Sequence, residues 1–494
     1  MDVTQEQLQE TIDLMRKIGV DLQKYEVKST PKEASKDIAK TLSAFSNGSG
    51  GWLIFGLSEK DGFTPVKDID IKSLQDSIAN VCNEKMHPPV RPIISVHEVE
   101  GHPILVADIK EMRPMDKPCY VKQSGMYDGA FIRTGDGDRR LSHYEIDRLN
   151  DEHRQPRYDR DIVEDATMKD LDSGLLAALL QRERIVHARN FAQLPDEEAL
   201  TKLNVIKRDA HGILRPTLAG LLALGEFPQQ FFPRLNISFA CYPGTNKSDV
   251  TEMGQRLIDS ATLVGSVPFM IEDAIAAIDR NMRTGALIEG AFRKDVPDYP
   301  IIALREAIAN ALMHRDYSPQ SHGTPVQIDM YIDRLEILNP GGLFGNVTID
   351  MLGKDCVSAS RNQFLAHLLE SIPYSDGQFV AENRGTGYQT IEAQMSDALM
   401  PPPTPRDTIG FFSLLFQKRH ITPDERRFSS QESMRAIILG LLEDQGSIST
   451  GEVAKHSGKS KATVVKYING MIDANILEPT QPKGSTKQRY RLSH

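Results

Sequence analysis

The sequence predicts a multidomain α+β protein, and three stretches carry that prediction. From Leu304 to Leu312 apolar residues recur at helical spacing, and an alternating strand and two glycine turns follow. The stretch up to Leu57 reads as helix, short strand, helix, glycine turn and apolar strand. The chain ends in three short helical patterns and two strand patterns around Gly484. Its 494 residues exceed the roughly 250 at which single cores stop growing. Three or four domains are therefore expected.

The first domain is expected over 1–153. Residues 4–19 have a helical period, and Lys24-Tyr25-Glu26-Val27-Lys28 reads as a strand with Glu26 and Lys28 on one face. A helix over about 34–46 leads through Asn47-Gly48-Ser49-Gly50-Gly51 into the apolar strand Trp52-Leu53-Ile54-Phe55-Gly56-Leu57. Later come Phe131-Ile132-Arg133-Thr134-Gly135 and Arg139-Arg140. This order resembles the Schlafen-type AlbA domain. The resemblance implies one of two activities. In a nucleic-acid-binding module Lys28, Arg133, Arg139 and Arg140 would contact phosphates, a sequence-independent attraction weakened by salt. In a nuclease Asp21 and Glu26, with Glu59 or Asp61, would hold Mg²⁺ or Mn²⁺ and activate water.

Residues 154–299 read as a helical connecting or dimerisation region. Helices are expected over 171–203, with Thr217 capping the apolar helix Leu218-Ala219-Gly220-Leu221-Leu222-Ala223-Leu224. The phrase Pro216 to Gly225 resembles the same composite family. A strand over 235–242 precedes a long helix over about 263–282. His187 and His211 lack evident partners in the sequence and read as surface residues.

The third domain is expected over 300–420. Leu304, Ile308, Ala311 and Leu312 form an apolar face, which leaves Glu306, Asn310 and His314 as a polar stripe, each four residues from the last. Val326, Ile328, Met330 and Ile332 alternate as a strand, Asp333-Arg334 turns, and Leu335-Glu336-Ile337-Leu338 leads to Asn339-Pro340-Gly341-Gly342. Arg384-Gly385-Thr386-Gly387-Tyr388 then opens another helical run. Glycines before a helix let backbone approach a phosphate, whose charge the helix N-terminus offsets.

These pieces resemble the GHKL ATPase fold of gyrase, mismatch-repair ATPases and histidine kinases, in the divergent RecG-related form joined to AlbA domains. The likeness implies ATP and Mg²⁺ as cofactors, with Glu306 as base for the attacking water and Asn310 as the Mg²⁺ ligand. The nucleotide set it implies is Asn310, His314, Asp333, Asn339, Gly341, Gly342, Arg361, Gly385, Thr386 and Gly387. Asn339 stands where the superfamily has an adenine-binding Asp, which favours binding over rapid turnover.

Residues 431–494 have the pattern of a winged helix-turn-helix, whose third helix enters a DNA major groove. Lys459, Ser460, Lys461, Thr463 and Lys466 fall on or beside that helix, and Lys483, Lys487, Arg489 and Arg491 on the wing.

Composition narrows the classes. A net charge of -10 argues against indiscriminate nucleic-acid binding by the whole surface but leaves local basic faces open. Four scattered cysteines show no metal or disulfide spacing, and no P-loop pattern is present. No apolar run approaches the ~20 residues of a membrane helix, and the N-terminus lacks a signal-peptide pattern, so a cytoplasmic location is expected. The expected function is an ATP-binding, DNA-binding regulator, with RNA as the other candidate polymer and a dimer as the expected assembly. The alternative is a metal-dependent nuclease gated by ATP.

Overall fold

The computed structural model describes residues 3–20, 22–30, 38–135, 137–151, 153, 155–282, 284–289, 292–354, 359–374, 377, 379–380, 385–419, 434, 437–439, 441–442, 446–457, 461–473, 476–481 and 488–492. Asp21, Lys459, Ser460, Lys483 and Lys487 lie outside these, as does the side chain of Thr463. The described chain is mixed α+β. It divides into two compact units, 1–278 with 301–417, and 279–300 with 418–494.

The first unit opens with helix Gln5–Ile18, held at its start by a Thr4–Gln7 capping box. A four-stranded sheet follows in the order Tyr25–Lys28, Gly51–Phe55, His102–Ile109, Ile93–Val99. The first pair is parallel, so the chain needs helix Ile38–Asn47 to cross between them. Leu53 and Phe55 pack on the side of Leu42 and Phe45, whereas Ile54 packs on the side of Leu8 and Ile12. Burial of both faces explains why this strand is an unbroken apolar run.

Asn47 closes the crossover. Its Nδ2 donates to the carbonyls of Cys119 (2.8 Å) and Phe131 (2.9 Å), and its Oδ1 accepts from Cys119 N (2.7 Å). The helix end, a loop and the strand Phe131–Thr134 are thereby tied together. Asn47→Ala leaves these buried groups unpaired, and at ~1–3 kcal/mol for each such group it is expected to cost several kcal/mol in urea-melt stability.

The second sheet of this unit has six strands, ordered Asp259–Leu263, Ile237–Cys241, Val326–Met330, Arg334–Pro340, Phe411–Gln417, Thr404–Asp407. Two of its strands come from before residue 300, through the parallel pairing of Ile237–Cys241 with Val326–Met330. The strand expected over 235–242 and the unexpected strand Asp259–Leu263 thus join this sheet, while helices fill much of the rest of the connecting region. The expected long helix starts later, at Val267, because Leu263 still belongs to a strand. Thr217 does cap helix Leu218–Leu224, by accepting from Gly220 N at 3.0 Å. Gly220 is required there, since a Cβ would stand 2.2 Å from the Val205 carbonyl oxygen. His187 has a partner after all: its Nδ1 lies 2.7 Å from the buried Glu183 carboxylate.

In the second unit Thr284–Glu289 pairs with Phe292–Pro297, and Leu477–Pro479 pairs with Tyr490–Leu492. Helices Thr450–Ser457 and Lys461–Asp473 bury Val453, Val464, Ile468 and Met471 in one cluster with Ile438 and Leu477. Ser449 and Glu452 exchange side-chain to backbone bonds at the first helix start.

Candidate functional site

Helix Ile301–Met313 packs against strand Arg334–Pro340 and helix Gly387–Asp397, and a cavity of about 360 Å³ opens between them. Its apolar face buries Leu304, Ile308 and Leu312, which leaves Glu306, Asn310 and His314 on the cavity wall. Asn339, Gly342, Gly385, Thr386 and Gly387 line it too. Eight of the eleven residues expected at the nucleotide site therefore meet in one volume.

One wall is polar. Asn310 Nδ2 donates to Glu306 Oε1 at 3.2 Å. Both side chains press on the first residue of helix Gly387–Asp397, where a Cβ on Gly387 would lie 2.3 Å from Glu306 Oε1 and 2.8 Å from Asn310 Nδ2. Gly385 takes φ +71°, the left-handed conformation that glycine adopts without strain. No side chain at Thr386 caps the helix, so its first N–H groups suit an anion. Burial, then the nearby Arg361 guanidinium, push the His314 imidazole down to about 4, so it is neutral near pH 7.

The opposite wall is mainly apolar, formed by Ile337, Leu343, Phe344, Phe412 and Leu414 around Asn339. Asn339 is only 5% exposed, and its Oδ1 meets no donor among the described residues. A buried acceptor without a donor fits a ligand that brings one.

Three expected residues stand elsewhere. Asp333 is at the turn before strand Arg334–Pro340, paired with Arg334 at 3.0 Å. Six residues of extended chain, roughly 20 Å, separate it from Asn339. Gly341 (φ +98°) turns its back on the cavity, and a Cβ there would meet Arg361 Nη1 at 2.4 Å. Arg361 is buried behind that turn, donating to the Gly342 carbonyl at 3.0 Å, so it braces the glycines rather than lining the cavity. Its neighbour Asn362 donates to the carbonyls of Met313 (2.9 Å) and Arg315 (2.7 Å), closing the end of the cavity helix.

Sequence reading missed Asp316. Its carboxylate accepts from Arg148 Nη2 (2.6 Å), Ser321 Oγ (2.6 Å), Ser318 Oγ (3.0 Å) and Ser318 N (2.9 Å). Arg361 Nη1 lies 4.0 Å away on the other side. Arg148 belongs to helix His143–Asp151, which follows the hairpin Phe131–Thr134/Gly137–Arg140. A line of buried charge thus runs from the back of the glycine turn to the N-terminal domain. Its members are too far apart in sequence for spacing to reveal them.

In that domain the expected phosphate contacts divide. Arg133 is buried and held by Glu26 (2.7 Å), Asp138 (3.1 Å) and the Tyr25 carbonyl (3.1 Å), so it is a brace. Lys28 pairs with Glu26 at 2.5 Å. Arg139 is exposed, and Arg140 is exposed while paired with Asp128. For the nuclease alternative, Glu26 is bound by two cations, and Asp61 accepts from Ser58 at 2.6 Å. Among the described residues no three His, Cys, Asp or Glu side chains, Glu59 included, form a metal-binding group.

In the second unit Lys461 and Lys466 are exposed on helix Lys461–Asp473. Arg489 instead bonds Glu452 (3.0 Å) and the Ser447 carbonyl (2.6 Å), and Arg491 pairs with Glu478 (2.6 Å). Arg489 thus holds the hairpin to its neighbours, whereas Arg491 pairs across the hairpin's own two strands.

Comparison with known proteins agrees with two of the expected domains. Residues 21–142 match the family model Schlafen, AlbA_2, and residues 323–416 match HATPase_c_4, described for the C-terminal part of recG ATP-dependent DNA helicase. Residues 147–238 match a domain of unknown function, DUF8451. The chain therefore joins an AlbA-type domain to a HATPase-like domain. The crystal structure of the DIP2311 protein from Corynebacterium diphtheriae is similar at 20% identity and TM-score 0.40, covering 99% of this chain and 97% of that one. The solution structure of the N-terminal domain of a RecG-related protein from Nitrosomonas europaea matches at 27% identity and TM-score 0.22, over 27% of this chain and 94% of that one. No curated protein matches. No described helix is long and apolar enough to cross a membrane.

Proposed function

We propose that this protein binds a nucleoside triphosphate in the 360 Å³ cavity and uses the bound state to adjust its grip on nucleic acid, as a DNA-binding regulator. One observation carries the reading: Glu306, Asn310 and the uncapped start of helix Gly387–Asp397 converge opposite the unpaired Asn339 acceptor. The donor set suits the ligand at both ends. Backbone N–H groups at Gly387 would face the phosphates, Asn310 would hold Mg²⁺ through its amide oxygen, and Glu306 would orient water. Mg²⁺, when bound, would neutralise phosphate charge.

The buried Arg361, Asp316 and Arg148 chain supports coupling, since it joins the wall of this cavity to the helix that follows the Arg139–Arg140 hairpin strand. We assign nucleic-acid contact to exposed Arg139 and Arg140 and, through a winged-helix reading of the last unit, to Lys461 and Lys466. The nuclease reading has less support, because Glu26 is held by Lys28 and Arg133.

The test is calorimetry of the full chain with AMP-PNP and Mg²⁺, followed by DNA titrations over a salt series with and without the analogue. Saturable binding in the wild type, weakened about 10- to 100-fold in Asn310→Ala, is the expected result. The analogue should also shift the DNA affinity. A null response from both wild type and Asn310→Ala would remove the nucleotide reading, and a DNA affinity blind to the analogue would remove the coupling.

A further inference from the structure

Asn339 sits on strand Arg334–Pro340, opposite Phe412 of the neighbouring strand, and lines the cavity among apolar side chains. It is 5% exposed, and nothing among the described residues donates to its Oδ1. A buried amide left in this state has two consequences. It requires a partner from the ligand, because an unpaired buried polar atom costs about 1–3 kcal/mol. It is also free to choose which partner, because no protein donor holds the oxygen in one orientation.

That freedom matters because a primary amide is both donor and acceptor on one flat end. With Oδ1 toward the base edge it accepts from an exocyclic amine, and Nδ2 beside it donates to a ring nitrogen. Adenine offers that amine and ring-nitrogen acceptor. Turned by half a rotation about its last torsion, the same amide donates to a carbonyl oxygen and accepts from a ring N–H. Guanine offers that reversed pair. An ionised carboxylate at this position only accepts, so it could meet the adenine amine or the guanine N1–H and 2-amine but could donate to neither base. The apolar wall of Ile337, Leu343, Phe344, Phe412 and Leu414 offers no second polar side chain to discriminate between the two bases.

We infer that the cavity admits guanine as well as adenine nucleotides, and that Asn339 sets this tolerance by reversing its amide. The inference rests on the nucleotide reading above and narrows it to a purine triphosphate site without strong preference for adenine.

The full chain is titrated calorimetrically with AMP-PNP, GMP-PNP and, as a pyrimidine control, CTP, each with Mg²⁺, in the wild type and in Asn339→Leu. The wild type should bind both purine analogues with dissociation constants within about threefold, and CTP at least about tenfold more weakly. Asn339→Leu should weaken AMP-PNP and GMP-PNP by similar factors of at least about tenfold, because each base loses its bonds to the amide. A wild type that prefers AMP-PNP more than tenfold overturns the inference and leaves the nucleotide reading standing. So does an Asn339→Leu protein that binds either purine analogue as the wild type does. If neither purine analogue binds the wild type, the nucleotide reading itself fails. The wild-type ratio decides the matter even if the variant does not fold.

Discussion

Asp316→Ala is expected to destabilise the first unit by about 3–5 kcal/mol, the cost of removing one partner from a buried ion pair. The Arg148 guanidinium that it balances is only 7% exposed. Ser318 and Ser321 would lose their acceptor as well. The same residue fixes a pH dependence. Although burial alone would raise it, the Arg361 and Arg148 guanidiniums and the Ser321 and Ser318 bonds hold the Asp316 carboxyl down to about 2. A carboxylate with a depressed folded pKa contributes stability that is complete above its unfolded pKa near 4 and is lost as pH falls through the folded value. Urea midpoints of the wild type should therefore fall between pH 4 and about 2, and Asp316→Ala should lack that part of the slope. A variant as stable as wild type at pH 7 would show that the buried charge line is not structural.

Gly387→Ala should leave the fold intact and weaken nucleotide binding by about 5- to 150-fold. The new methyl group would overlap Glu306 Oε1, 2.3 Å from the ideal Cβ position, and Asn310 Nδ2, 2.8 Å away. Both are ends of side chains and can withdraw into the ligand-free cavity at little cost. A bound triphosphate and its ion would remove that space, so overpacking of about 1–3 kcal/mol appears in affinity rather than in folding. Calorimetry with AMP-PNP and a urea melt on one preparation separate the two effects. A variant that binds like wild type would place the phosphates away from this helix start.

How much was legible in advance followed the range of the interactions. Glu306, Asn310 and His314 share a helix face by the helical repeat alone, and the glycine turn at 385–387 announces itself locally. The apolar run Trp52 to Leu57 likewise gave its strand, because burial on both faces leaves no polar alternation to read. Arg133 misled, since a basic strand residue reads as a phosphate contact until Glu26 and Asp138 arrive from distant segments and bury it. Arg361 misled in the same way, being drawn under Gly342 rather than into the cavity. The strand over 235–242 was legible, but its place in this sheet was not, because its parallel pairing with Val326–Met330 joins segments that sequence order holds apart.

The decisive measurement is a crystal structure of the full chain with AMP-PNP and Mg²⁺. Phosphates are expected at the start of helix Gly387–Asp397, the ion beside Asn310 and the base edge against Asn339. Density for the analogue anywhere else, or a cavity that stays empty at saturating concentration, would contradict the nucleotide reading.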